Sequence, residues 1–500
     1  MSLELEACPR TLPILDTRIP SSVIEPARPR LPPRKPGLRP LVEFLVILAI
    51  GILFSRVFAA EAYIVPTGSM APTLLGSHRD LICPNCGIRF ALGLDERGRS
   101  GLPACPNCGH DELEQAPSAD GAGDRLLVQK LLYDLRPPRR WEVAVFQNPE
   151  DPAQAFVKRV VALPGESVEI RRGDVYINGR VARKTLEEQR ATRLLVYSND
   201  FLPADADRFP RWIPRKEGGS RLQSGWRALG SWFVRDEPEQ DNGRTDWLEY
   251  RHWQPDRKSP GPVRDFIAYN GAETGSENRV DDLFLEALLS VGPDCHSVRI
   301  RMAHGADRFE AEIPVDGASA PRVLWNGRAV PLSEARGRLT SSATDAPLYH
   351  KIEASVVDQQ FLVAIDGELA FEPVRVEDPA SGPIPPTNLL AIGLQGGSGE
   401  VRGLQVYRDV YYTSVLSNAL RRPFAVGEPY RLGEGEYFVL GDNSPVSNDS
   451  RFWSLSPVVR EESFLGKPFL VHLPSQAVPL QVFGQSVYWI PDPRQIRYIR

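Results

Sequence analysis

One serine, one lysine and one loop of hydroxyls and charges are the groups in this chain best suited to chemistry. Ser69 lies in the run Tyr63-Ile64-Val65-Pro66-Thr67-Gly68-Ser69-Met70-Ala71-Pro72-Thr73-Leu74. Pro66 removes a backbone donor and Gly68 tolerates unusual dihedrals, so a strand must break here and expose the serine. Lys158 lies in the apolar run Phe156-Val157-Lys158-Arg159-Val160-Val161-Ala162, ahead of Leu163-Pro164-Gly165-Glu166. On the packed side of a strand, desolvation would favour its neutral amine, a base able to take a serine proton. Read alone, Lys158 also fits a strand-edge lysine with its head in water. Period-2 alternation puts Arg159 on the opposite face, where it is expected to be solvated. The third segment is Gly441-Asp442-Asn443-Ser444-Pro445-Val446-Ser447-Asn448-Asp449-Ser450-Arg451. It reads either as an Asx-rich surface turn or as support for the base, with Ser447 bonded to Lys158 and an Asp449–Arg451 pair holding the loop. A fourth segment, Gly123-Asp124-Arg125-Leu126-Leu127-Val128-Gln129-Lys130, reads as a turn and then a strand.

Four of the six cysteines form two Cys-Pro-Asn-Cys-Gly knuckles, Cys83/Cys86 and Cys105/Cys108. That spacing fits a closed, structural zinc ribbon; an oxidising location would instead favour disulfides, and both readings stay open. Four thiolates leave no open coordination position for catalysis. His78 and His110 read as bystanders, and Cys295-His296 as a lone buried thiol beside a surface imidazole. Cys8 stands alone. Only seven histidines occur, none beside Ser69, so a Ser-His-Asp arrangement starts weak.

These groups need elements to position them. The chain has 500 residues, 42% hydrophobic, with a net charge of −5, enough for two or three domains and without a basic stripe suited to nucleic acid. Residues 1–40 are Pro-rich, carry Arg28, Arg30, Arg34, Lys35 and Arg39, and read as a disordered basic arm. The apolar run 41–60 has about the length of a membrane-spanning helix, with Glu43 and Arg56 near its ends. A cleaved signal peptide ending at Ala60-Glu61-Ala62 is the alternative. As an anchor, the preceding positive charge predicts a cytoplasmic N-terminus and the rest of the chain outside. Residues 187–425 begin with Trp212, Trp226, Trp232, Trp247 and Trp253, then alternate as strands around Asn326-Gly327 and Asp366-Gly367 hairpin turns. A β-sandwich insertion follows, its tryptophans either core residues or a glycan platform.

Taken together and in order, the Ser-Met-x-Pro-Thr-Leu, Lys-Arg-Val-x-x-x-Pro-Gly-Glu and Gly-Asp-Asn-x-x-x-Ser-x-Asp-Ser-Arg motifs resemble the type I signal peptidases. The likeness covers the apolar run, 61–75, 123–180 and roughly 431–470. It implies Ser69 as nucleophile, Lys158 as general base, the Thr67 hydroxyl and Ser69 amide as oxyanion donors, and no catalytic cofactor. It also implies that Tyr63, Val65, Leu74 and Val157 line shallow pockets for small side chains, with exported preproteins as substrates at the outer or periplasmic face of the inner membrane. The expected fold is mainly β. An antiparallel two-sheet, partly open barrel (61–75, 123–186, 426–500) carries a ribbon at 76–122 and the sandwich at 187–425. Weak similarity of 350–371 and 389–412 to concanavalin/laminin-G jelly rolls leaves glycan binding there open. Because long loops close at little entropic cost, the core is expected to hydrolyse a peptide without the sandwich. The competing readings are a membrane-tethered glycan- or protein-binding scaffold on an inactive protease core, and a self-cleaving Ser/Lys repressor, which the chain's lack of a DNA-binding segment disfavours.

Overall fold

The computed structural model describes residues 38–54 and 60–499, apart from 96, 114–115, 117, 207–208, 219–223, 237–242, 272–276, 317–318, 334–337, 342–346, 378, 414–422, 476, 483–484 and 492. The expected arm (1–37 of it), Cys8 and residues 55–59 of the expected anchor lie outside these. The chain divides into two units, Met1–Phe54 and Ser55–Arg500. In the first, an apolar helix covers Leu38–Phe54, 17 residues. Among the described residues no helix is long and apolar enough to cross a membrane.

The second unit is mainly β. Its central sheet is antiparallel, in the order Ala60–Ile64, Arg125–Gln129, Phe464–Leu473, Val143–Asn148, Asp151–Ala162, Glu436–Leu440, Val459–Arg460, with Arg497–Tyr498 added beside Phe464–Leu473. In Arg125–Gln129 alternation buries one face, through Leu126 and Val128, whereas Val143–Phe146 is buried on both faces. A four-stranded sheet, Arg180–Val181, Asp174–Ile177, Ser167–Arg171 and Tyr430–Arg431, lies within the same unit. A third small sheet, Arg89–Gly93, Ser77–Ile82 and Ser118–Ala122, carries the cysteine knuckles.

Between Leu194 and Arg408 two large antiparallel sheets share one apolar core. Leu283, Leu285, Ile352 and Val363 come from one, and Val298, Ile300, Phe309 and Ile392 from the other, which is a β-sandwich. Cys295–His304 follows the period-2 rule, Val298, Ile300 and Met302 being buried and Arg299 and Arg301 only partly so. Gln360–Ile365 departs from it and is buried on both faces. The helix Leu186–Thr192, opened by a Thr185/Glu188 capping box, packs nearby: Ser355 Oγ donates to Gln189 Oε1 at 2.7 Å. Asn326-Gly327 and Asp366-Gly367 both have positive φ and join directly paired strands, as type I′ hairpins require. Trp212, Trp226 and Trp247 are core residues, whereas Trp232 is 36% exposed under the Arg402 guanidinium.

Candidate active site

Ser69 occupies a single 3₁₀ turn, Gly68–Met70, reached when the Ala60–Ile64 strand ends before Pro66. Apolar side chains plug the turn into the core: Met70, Ala71 and Leu74 are fully buried. Polar contacts pin the rest. Asn443 donates its backbone N–H to Ser69 O at 3.0 Å and its Nδ2 to Gly68 O at 2.8 Å. Thr73 Oγ1 donates to Asp442 Oδ2 at 2.6 Å, and the Leu75 amide to the buried Asp124 carboxylate at 3.0 Å. The turn therefore hangs from residues far away in sequence.

Lys158 lies in the twelve-residue strand Asp151–Ala162, opposite Ala144. Glu436–Leu440 pairs with that strand only from Arg159 to Ala162, so the stretch before Arg159 keeps one open edge. Residues 154–158 line a groove of about 820 Å³ together with Tyr63–Ser69, Leu126, Val145, Gly93–Asp95, Arg99, Gly101, Tyr269 and Asn270. Lys158 is 4% exposed, and its Nζ donates to Ser69 Oγ at 2.5 Å. Desolvation pushes the ammonium down to about 8; Asp449 and Asp442 pull it up, and Arg451 pushes it down. The pair thus joins a hydroxyl to an amine that burial makes easier to deprotonate.

The Gly441–Arg451 loop is mostly buried, with Asp442, Asn443, Ser447, Asp449 and Arg451 at 0% exposure, while Val446 and Asn448 are exposed on the groove. Arg451 grips Asp449 through Nε at 2.9 Å and Nη2 at 2.7 Å, and donates to Thr413 O and Ser444 Oγ. Asp449 in turn accepts the Gly441 amide at 3.0 Å. Ser447 departs from expectation: its buried Oγ makes no hydrogen bond, so the Ser447–Lys158 bond is not formed here. The hydroxyl instead crowds Gly441, where a Cβ would lie 2.1 Å from Ser447 Oγ and 2.5 Å from Ser69 O.

Arg159 also corrects expectation. It is fully buried, donating to Asp442 through Nε at 2.8 Å and Nη2 at 2.6 Å, and to Trp141 O and Ala191 O. The outer face of its strand is covered by the Gly441 loop and the end of helix Leu186–Thr192, so alternation sends it into a buried ion pair instead of water. Of the expected pocket residues, Tyr63, Val65 and Val157 line the groove; Leu74 does not, being enclosed in the core beneath it. Thr67 is exposed on the groove, and its side chain makes no capping bond to the turn. Asn443, Asp442, Asp124, Tyr269 and Asn270 were missed as site residues. The first three stood inside quoted motifs, but Tyr269 and Asn270 carry no sequence signal.

The four paired cysteines converge, all Sγ atoms lying within 4.8 Å of one another. Cys83–Cys108 and Cys86–Cys105 Sγ atoms are 3.6 Å apart, near the edge of about 3.8 Å expected for a tetrahedron with Zn–S of about 2.3 Å and far longer than a disulfide bond of about 2.05 Å. The two knuckles repeat one geometry: the Gly87 and Gly109 amides donate to Cys83 O and Cys105 O at 2.8 and 2.9 Å. The donor set therefore fits zinc. Neither His78, bonded to Gly76 O, nor His110, bonded to Glu112 O, joins the thiol group. Cys295 is a buried lone thiol beside an exposed His296.

A family model described as signal peptidase, peptidase S26, matches residues 116–218 and 405–473, about a third of the chain, spanning Lys158 and the Gly441–Arg451 loop. A probable signal peptidase I-2 of Synechocystis sp. is 32% identical over 142 residues, 27% of this chain and 42% of that protein. Signal peptidase I of Leptolyngbya laminosa is 30% identical over 179 residues, 32% of this chain and 64% of that protein. The chain spans less than two thirds of the length of either. Among solved structures, the carbohydrate-binding module CBM66 from Bacillus subtilis aligns at 8% identity over 39% of this chain and 96% of that one, with a TM-score of 0.23. The Emp46p carbohydrate recognition domain aligns at 8% over 42% and 94%, with a TM-score of 0.26, and scores this low assign neither fold nor ligand. The family model and the curated relatives thus make the part of the chain around Lys158 and the Gly441–Arg451 loop similar to signal peptidases.

Proposed function

We propose that this chain is a membrane-anchored serine endopeptidase that removes N-terminal signal peptides from exported preproteins after small-x-small sequences, by a Ser69/Lys158 dyad. The observation that carries the reading is the 2.5 Å contact between Ser69 Oγ and a lysine amine whose pKa burial brings to about 8. In the reaction the neutral Lys158 amine accepts the Ser69 proton as Oγ attacks the scissile carbonyl carbon. The Thr67 hydroxyl and Ser69 N–H donate to the oxyanion of the tetrahedral intermediate. The lysine ammonium then protonates the leaving amine, and an ester acyl-enzyme forms. Lys158, neutral again, takes a proton from water, which attacks the ester and releases the signal peptide's new carboxylate. Asp449 and Arg451 hold the loop that backs the base, and Ser447, its buried Oγ without a hydrogen bond, is proposed to orient the base when substrate is bound. Tyr63, Val65 and Val157 form the floor on which small side chains would sit.

The apolar run 41–60 is proposed as the single anchor, with the N-terminus cytoplasmic and the catalytic part on the outer or periplasmic side of the inner membrane. Cys83, Cys86, Cys105 and Cys108 are proposed to hold a structural zinc that ties the ribbon together; it takes no part in the chemistry. The test is cleavage of a model preprotein in detergent or vesicles by wild type and Ser69→Ala, with N-terminal mapping of the product. Cleavage at a small-x-small site by wild type alone is expected. Equal processing by Ser69→Ala would leave the chain a tethered scaffold.

A further inference from the structure

Two residues of the inserted domain reach the turn that carries the nucleophile. Ala268–Asn270 forms a short 3₁₀ turn between the sandwich strands Asp246–Tyr250 and Leu283–Val291. The Tyr269 ring is buried between Gly68, next to the nucleophile, and Gly93 of the cysteine-bearing sheet. A Cβ on either glycine would lie 2.1 or 2.4 Å from Tyr269 Cε1. Its hydroxyl donates to Ser77 O at 2.8 Å. Glycine is required at both positions because the ring occupies the space of a side chain. Asn270 and Asn443 exchange amide hydrogen bonds, each Nδ2 donating to the other's Oδ1 at 2.7 Å. Asn443 is the residue that also holds Gly68 O and Ser69 O.

Resting on the proposed Ser/Lys reading, we propose that Tyr269 and Asn270 are positioning residues for Ser69, so that the inserted domain completes the catalytic site through them. Asn270 fixes the Asn443 side-chain amide, which donates to Gly68 O, while the Asn443 backbone N–H holds Ser69 O. Tyr269 fills the gap that would otherwise let the turn rotate away from Lys158. With Leu94, Asp95 and Arg99 the same two residues close one wall of the groove, Asp95 and Arg99 being paired at 2.8 Å. A turn free to move by about 1 Å typically costs about 10²-fold in rate without weakening substrate binding equally.

The experiment uses the full chain, a preprotein with an Ala-x-Ala site, and amide exchange at residues 67–76. Asn270→Ala is expected to lower kcat by about 10- to 100-fold with KM within about threefold, and to speed exchange in the turn by about tenfold. The Asn270→Ala effect should largely vanish in an Asn443→Ala background, since the two act as one unit. Tyr269→Phe, which keeps the ring, should retain kcat within about threefold, whereas Tyr269→Ala should lose about 10²-fold. Unchanged exchange, unchanged kcat for Asn270→Ala, or additive effects with Asn443→Ala would overturn the inference. If Tyr269→Ala misfolds, Tyr269→Phe and Asn270→Ala still decide it. Failure of wild type to cleave, or cleavage by Ser69→Ala, would instead count against the Ser/Lys reading, and the exchange measurement would then judge the inference by itself.

Discussion

At its ordinary pKa a lysine is neutral in about one molecule in three thousand at pH 7; at about 8 the fraction is about one in ten. Burial supplies most of that change, helped by the Arg451 charge and opposed by the Asp449 and Asp442 carboxylates. Only the neutral amine can accept the Ser69 proton, so protonation at lower pH removes the base. The pH profile of kcat/KM should therefore rise through an apparent pKa of about 8 and be flat above it. Lys158→Met, similar in length and without the amine, should abolish turnover while leaving the unfolding midpoint nearly unchanged; retained activity would remove Lys158 from the mechanism. Gly441 makes a second prediction at this scale. An added methyl would collide with Ser447 Oγ and with the carbonyl of the nucleophile itself. Because Ser69 O is held by the Asn443 amide, it cannot retreat without moving the turn. Gly441→Ala should cost about 10²-fold in kcat with a smaller effect on KM, and a variant as active as wild type would mean the turn tolerates the shift.

The strand Asp151–Ala162 turns neighbouring side chains to opposite duties, Lys158 into the groove and Arg159 into a pair with Asp442. Both members of that pair are fully buried, and Asp442 also receives Thr73 from the nucleophile loop. Removing one partner leaves an uncompensated buried charge, so Arg159→Met should destabilise by about 3–5 kcal/mol in denaturant titration and loosen the Ser69 turn with it. A loss below about 1 kcal/mol would contradict the burial. For the ribbon, elemental analysis of purified protein should give about one zinc per chain, and Cys86→Ser should lower that content; a zinc-free protein with no titratable thiols would favour disulfides. The motifs around Ser69, Lys158 and Gly441 were legible because local chemistry marks them: a proline-glycine break, a lysine in an apolar run, a turn-rich loop. The Asn326-Gly327 and Asp366-Gly367 hairpins were legible because backbone sign alone selects such residues. Arg159 was misread because the alternation rule knows faces, not what covers them; its cover comes from Asp442 and Ala191, remote in sequence. Leu74 was misread for a similar reason, since an apolar residue beside a groove and one beneath it look alike in sequence. Tyr269 and Asn270 follow no motif, because tertiary packing alone brings them to the site.

On the scale of the whole molecule, cheap loop closure predicts a core that works with residues 187–425 removed, but the contacts argue the opposite. Lys184, just before the insertion, is buried and pairs with Asp358 at 3.0 Å and Asp409 at 2.8 Å, both from within it. Those carboxylates hold its ammonium well above the usual lysine value despite burial. Ala191 accepts from Arg159, and Tyr269 and Asn270 sit on the nucleophile turn. Loop-closure entropy addresses only the cost of joining two ends and says nothing of side chains that the insert lends to the core. Deleting 187–425 would leave Lys184 and Arg159 short of partners and open the space beside Gly68, each change tied to a named source of large destabilisation. The deleted protein should therefore lose peptide hydrolysis even where it remains soluble. The intact chain should melt as a single calorimetric transition over residues 60–499, with van't Hoff and calorimetric enthalpies in agreement, because a seam of buried charge cannot open on one side alone. Two separated transitions, or a deletion variant that hydrolyses peptide at the wild-type rate, would mean that the sandwich is a passenger and that the Ser69 turn is held by the core alone.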